Sequence, residues 1–296
     1  MESVHQTVLL NETINGLNLK DKSLVVDATF GGGGHSLEIC KRYKQVKIIA
    51  LDQDKTAWAR SKDKFKNLNC DITFSHTNFR DINLSNNSID AIIFDLGLSS
   101  DQLENSGRGF SFMKDEPLLM TMRDNPRPED LTAGDVVNDW SEENLADIIY
   151  GYGEERFARR IARGVVEVRK TKKIQTTFDL VKIISDSVPV AYRRGKLHFA
   201  TRTFQALRIA VNDELNTLQM GLKNGFNALN INGRMCVISF HSLEDRIVKR
   251  FYKTKEKEGK AKLINKKPII AGEKELKNNP RSRSAKLRIL EKIIYK

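Results

Sequence analysis

Along the first hundred residues, short apolar runs alternate with segments whose apolar positions recur three and four apart. SLVVDA (23–28), KIIALD (47–52), DITFSH (71–76) and IDAIIFDLG (89–97) have strand length and are rich in Val, Ile and Phe. Between them, His35 to Arg42 and Lys55 to Lys66 carry helical spacing. Apolar strands alternating with helices predict a parallel sheet covered on both faces and joined by right-handed crossovers. After about Arg108 the pattern changes. SEENLADIIY, EERFARRIARGVVEVRK, TTFDLVKIISDSV and FATRTFQALRIAVNDELNTLQMGL all read as helices, the first behind a Ser cap. Strand character returns at RMCVISFH (234–241) and again in LRILEKI near the end. The prediction is an α/β domain in two parts, 1–107 and 213–296, with an all-helical subdomain, 108–212, inserted between them. Lys253 to Asn279 is lysine-rich with few apolar anchors and reads as a mobile loop.

A chain of 296 residues with 40% hydrophobic and 30% charged residues can bury one or two cores. Its start, MESVHQTVLLNE, lacks the basic flank and apolar centre of a signal peptide, and no apolar run nears the roughly 18 residues of a membrane span. These features point to a cytoplasmic protein with no membrane partner. Cys40, Cys70 and Cys236 are too few and too scattered for a metal site or a disulfide framework, and Cys40 and Cys236 read as core positions.

Charge alters the picture more. Arg246 to Lys296 holds 18 Lys and Arg against 5 Glu, a net of +13, whereas the whole chain carries +12. The remainder is therefore nearly neutral. Charge segregated this way predicts a polyanion, because each neutralised phosphate releases counterions; a solubilising tail is the bland alternative.

The strongest local feature is VVDATFGGGGHS: a strand ends, four glycines follow and a helix begins. Glycines allow positive φ and close backbone approach, and the new helix offers free N–H groups. Gly31-x-Gly33-x-x-Ser36 is an imperfect dinucleotide fingerprint, so both NAD and S-adenosylmethionine remain open. Asp52 ends the second strand where a carboxylate can accept ribose hydroxyls. Phe79 and Asp95 follow the next two strands, as an adenine neighbour and a reaction-centre acid. No hydride-transfer histidine or tyrosine–lysine pair stands out in the second half.

Further runs carry a resemblance. HQTVLLNE (5–12), DATFGGGGHS (27–36), DLGLSS (95–100), RGFSF (108–112), YGEERFARRIAR (152–163), ATRTFQALRIAVNDEL (200–215), SFHSLEDRIVKRF (239–251) and NPRSRSAKLR (279–288) occur in order over almost the whole chain. In them the chain resembles the RsmH (MraW) family of ribosomal RNA cytosine-N4 methyltransferases. The resemblance implies a Rossmann-like S-adenosylmethionine methyltransferase fold with an inserted helical domain that recognises substrate. It implies Gly33, Gly34 and His35 at the cofactor, Asp52 on the ribose, Phe79 beside the adenine, and Asp95 and Gln102 near the methionine end. The implied partner is 16S ribosomal RNA or the small ribosomal subunit, at one cytidine of the decoding region. No metal ligands stand out in the sequence, and a monomer or homodimer is expected, with metal dependence and oligomeric state left open by the sequence.

For the chemistry, Asp95 is the candidate proton acceptor for the cytosine amine, beside a purely cofactor-binding role. The chain lacks the Asp/Asn-Pro-Pro-aromatic turn of many amino-methyltransferases, so Phe110 or Phe112 is the candidate to stack on the base, or else an anchor between domains. Attack at C5 needs a loop cysteine that none of the three supplies. RNA contacts are expected at Arg202, Arg208, His241, Arg246, Arg281 and Arg283, while Arg159, Arg160 and Arg163 can equally form a solvated face. Ser242 and Asp245 read as a helix-capping pair. Where the family has an Asp-Met-Arg-Met run, this chain has Leu119 and Thr121 in place of the Asp and Arg, and Phe199 replaces a usual proline. Two other functions compete: a non-catalytic RNA-binding assembly factor that keeps the pocket, and a NAD-dependent oxidoreductase.

Overall fold

A computed structural model describes residues 7–55, 61–124 and 126–294. The chain divides into two compact units, the first made of 1–97 and 215–296, the second of 98–214. In sequence the second unit interrupts the first shortly after the fourth strand.

In the first unit the strands are β1 (Leu24–Asp27), β2 (Val46–Asp52), β3 (Cys70–His76), β4 (Ile89–Asp95), β5 (Leu229–Ser239), β6 (Ala261–Leu263) and β7 (Lys286–Lys292). They form one sheet in the order β3-β2-β1-β4-β5-β7-β6. β1 to β5 run parallel, and β7 lies antiparallel between β5 and β6. Both faces are buried, which is why the central strands read as continuous apolar runs rather than alternating ones. Val25, Ile48, Ile93 and Ile238 point to one side, beneath α1 (Leu10–Leu17) and α2 (Gly34–Arg42). Val26, Ile92, Phe94 and Val237 point to the other, beneath α3 (Glu214–Ala228) and α4 (Ser242–Lys257). Each such side chain contributes about 1.5–3 kcal/mol of burial.

Three expectations change. The lysine-rich stretch is ordered: α4 runs through Lys257, β6 follows, Ile269 bridges Leu287, and a short helix spans Glu273–Asn278. Its few apolar residues suffice because β7 supplies a pairing edge. The helix expected over 55–66 lies partly outside the described residues, and its end is the 3₁₀ turn Lys62–Phe65. Cys40 and Cys70 form a disulfide across 30 residues, since α2 folds back beside the head of β3 and brings their Cα atoms to 5.5 Å. Spacing along the chain holds no trace of that approach. Cys236 is free and buried in the core.

The second unit is helical around its own core of Val136, Leu145, Ile161, Leu180 and Leu207. Its helices include Ala133–Asp139, Glu142–Gly151, Ala158–Arg169, Thr177–Ser187 and Thr201–Asn212. Ser141 accepts from the Asn144 amide, as a cap there predicts. The guanidinium of buried Arg108 donates to the carbonyls of Thr121, Met122 and Arg123 at 3.1, 3.0 and 2.8 Å. Those carbonyls hold Arg108 beside the segment that carries Leu119 and Thr121. No helix among the described residues is long and apolar enough to cross a membrane.

Candidate active site

β1 and β4 are neighbours from which the chain departs in opposite directions, and the crevice at such a switch point is where open α/β sheets bind ligands. Past Asp27 the turn straddles both flanking strands: the Ala28 amide donates to Ile93 O at 2.9 Å and the Phe30 amide to Leu51 O at 3.0 Å. Gly33 closes the turn with φ 72°, and a Cβ there would lie 2.5 Å from the Phe30 ring, which is itself buried below. Gly34 then opens α2, and His35 in its first turn is buried.

Three acids end strands around this turn. Asp27, which sequence reasoning passed over, accepts from Ser36 Oγ at 2.6 Å and from the Thr29 amide at 3.3 Å. That bond explains why serine stands where a dinucleotide fingerprint has glycine. The available signal was an acid closing a strand just before a glycine turn. Asp52 Oδ2 accepts from the Gly31 amide and Oδ1 from the Asp54 amide, both at 2.8 Å. A carboxylate has about four lone-pair sites, so room remains for two hydroxyls. Burial raises both the Asp27 and Asp52 carboxyls to about 6.

Asp95 is the most perturbed of the three. Burial, then the charges of Asp27 and Glu244, push its carboxyl up to about 8. Its amide donates to Thr29 Oγ1 at 2.6 Å, and His35 Nδ1 lies 3.7 Å from Oδ2. Oδ1 is buried and has no hydrogen-bond partner among the described residues. A buried acceptor left unmade costs about 1–3 kcal/mol, which fits a site completed by a ligand with donors or positive charge. Phe79 sits three residues beyond β3, its ring edge-on to Phe94 at 5.5 Å and pressed against α3, where a Cβ on Gly221 would come within 2.5 Å of it. Gln102, in the second unit, uses its amide oxygen to accept from the Ser99 amide at 3.0 Å in a capping box.

The RNA candidates fare unequally. Phe110 is buried in the core of the second unit, where its ring is not open to stack on a base. Phe112 is only partly buried and stacks on His198 at 4.4 Å, with Phe199 on that imidazole's far side at 4.3 Å. Arg208 grips Glu214 through two bonds of 2.7 and 2.8 Å and is largely buried, so it is structural. His241 is the N-cap of α4, in a capping box with Glu244, displacing the predicted Ser242–Asp245 pair. Asp245 instead accepts from Arg288 at 2.7 and 3.2 Å. Arg246, Arg281 and Arg283 are exposed, Arg202 is half-buried, and Arg159, Arg160 and Arg163 vary only in their neighbours, Arg160 lying over Phe157 and Arg163 near Glu142.

Dinucleotide-binding sheets run 3-2-1-4-5-6, whereas here an antiparallel strand is inserted beside the fifth. With Ser36 tied to Asp27 and a half-buried acid ending β4, the fold and its turn are those of a Rossmann-like S-adenosylmethionine-dependent methyltransferase. More narrowly, the model of the MraW methylase family matches residues 2–293, and the chain belongs to that family. It is 45% identical over 314 residues to the ribosomal RNA small subunit methyltransferase H of Clostridium botulinum (strain Kyoto / Type A2), with 99% of this chain and 100% of that one covered. The protein of the same name from Nostoc punctiforme is 47% identical over 290 residues, covering 98% and 94%. Among solved structures, an rRNA methylase from Streptococcus thermophilus is similar at 11% identity and a TM-score of 0.44, with 98% of each chain covered.

Proposed function

We propose that the protein transfers a methyl group to N4 of one cytidine in the decoding region of 16S ribosomal RNA. The observation that carries this reading is the half-buried Asp95 carboxyl at the switch point, with one buried oxygen unpartnered among the described residues and a pKa near the working range. S-Adenosylmethionine, when bound, supplies an electrophilic methyl group on a sulfonium. The glycine turn and the start of α2, with Gly33, Gly34 and His35, would cradle the ligand. Asp52 would accept ribose hydroxyls, and Phe79 would flank the adenine.

The cytosine amine is a poor nucleophile because its lone pair is delocalised into the ring. An acceptor at its N–H localises that pair and removes the proton as the new bond forms. Asp95 has the free oxygen for this, and a carboxyl raised toward neutrality holds a proton better than an ordinary one. Positioning supplies much of the remainder, up to roughly 7–11 kcal/mol. The helical unit would recognise the RNA, with Phe112 as its aromatic and Arg202 among its cations; Arg246, Arg281 and Arg283 would bind phosphates on the first unit.

Small subunits incubated with the protein and labelled S-adenosylmethionine, then mapped by mass spectrometry, test the reading. Label on a decoding-region cytosine, at N4, is expected. Label elsewhere overturns the assignment, and none at all favours an assembly factor.

A further inference from the structure

The sheet edge that ends at Asp95 continues into a second depression, formed wholly by the first unit. Phe240, Ser242, Ile270, Leu276, Arg283 and Lys286 line a cavity of about 330 Å³ there. Register fixes its place. Asp95 pairs with Ile238 across β4 and β5, the Leu96 amide donates to Ile238 O at 3.0 Å, and the Phe240 ring would lie 3.7 Å from a Cβ on Gly97. The cavity thus opens one step along the edge from the proposed reaction centre.

Its walls are of two kinds. Ile270 is 65% and Leu276 37% exposed, so with Phe240 they present apolar surface to water. Arg283 is exposed and pairs with no carboxylate among the described residues, while Lys286 reaches Asp245 only at 3.6 Å. Apolar surface facing two cations suits a group that is flat and apolar at one end and anionic at the other. The net +13 between Arg246 and Lys296 argues for a polyanion over a single small ligand. The volume lies at the lower end of ligand pockets, about 300–1,000 Å³.

We propose that this cavity holds a nucleotide flanking the modified base, with its base against Phe240, Ile270 and Leu276 and its phosphate at Arg283 and Lys286. The inference rests on RNA being the substrate. It gives the first unit a sequence-tolerant grip on the strand beside the target, since base stacking on apolar surface does not discriminate strongly.

The test uses the full chain saturated with adenosylhomocysteine and a short fluorescein-labelled single-stranded oligoribonucleotide, read by anisotropy at several salt concentrations. Arg283→Ala and Ile270→Asp change exposed side chains, and unchanged melting temperatures confirm that both variants fold. Each is expected to weaken binding about fivefold or more, and Arg283→Ala to flatten the salt slope by about one. An oligonucleotide with one abasic position should bind the wild type less tightly, yet cost Ile270→Asp little further. Wild-type affinity in both variants overturns the proposal, as does an abasic penalty that Ile270→Asp leaves intact. Mapping the methylated nucleotide separates the two claims. A correctly placed methyl with normal binding by both variants sinks only the cavity, and weakened binding with the methyl elsewhere sinks only the cytosine assignment.

Discussion

The Asp52 carboxylate accepts a hydrogen bond from the Gly31 amide at 2.8 Å, so the acid that ends β2 also holds the glycine turn that follows β1. Asp52→Ala therefore removes a ribose acceptor and a restraint on the cradle together. Adenosylhomocysteine affinity, measured by calorimetry, should fall by roughly 1–3 kcal/mol, and Asp52→Asn should recover part of it. An unchanged dissociation constant would remove Asp52 from the site.

Asp95 links activity to stability with opposite signs. Below about pH 4 its carboxyl is protonated in folded and unfolded chains alike. As pH rises from the ordinary aspartate value of 3.8 toward about 8, the unfolded chain releases the proton that the folded chain retains, so stability falls, with the full cost present above 8. Asp95→Asn removes that cost. Denaturant unfolding should find it more stable than wild type by roughly 1–3 kcal/mol at alkaline pH and equal at acidic pH. Single-turnover methylation by the wild type should rise with pH along a limb that the variant, nearly inactive, does not show.

Gly33→Ala places a methyl group in the left-handed region and against the Phe30 ring. The variant should lose about 1–3 kcal/mol of stability by chemical unfolding and bind adenosylhomocysteine too weakly for calorimetry. Wild-type affinity would show that the turn accommodates the change.

Truncation after Lys253 would remove β6 and β7, and β7 pairs with β5 along six registered positions from Arg234 to Ser239. The truncated chain should fail to give a cooperative thermal transition. Arg281 and Arg283 must accordingly be tested by point substitution, because deleting the basic segment deletes part of the sheet.

The Cys40–Cys70 bond closes a loop of 30 residues. Reduction of the oxidised protein should lower its stability by about 3–4 kcal/mol in denaturant titrations, and a Cys40→Ser, Cys70→Ser chain should not respond to reductant. Thiol titration of unfolded, oxidised protein should find Cys236 alone. Three reactive thiols would show that the bond is not formed.

Much of the candidate site could be expected from the sequence because its parts mark successive strand ends. The glycine turn, Asp52 and Asp95 each stand at the end of an apolar run, and strand ends in a parallel sheet share one edge. Asp27 escaped notice because its significance lies in Ser36, nine residues on, and in a burial that no neighbour in sequence announces. Arg208 and Phe110 read as RNA contacts because a cation and an aromatic look alike whether they face solvent or a partner; Glu214 and the helical core decided otherwise.

Hydrophobic periodicity by itself determined the parallel sheet, because local spacing dictates which face of each element must be buried, and the run of glycines after the first strand marked the turn. Tertiary structure alone decided that β7 enters between β5 and β6, that Cys40 meets Cys70, and that Asp95 keeps its proton near neutrality. Each of these depends on groups distant in sequence being brought together and desolvated, and free energies of desolvation belong to the assembled surroundings rather than to any residue's own neighbours.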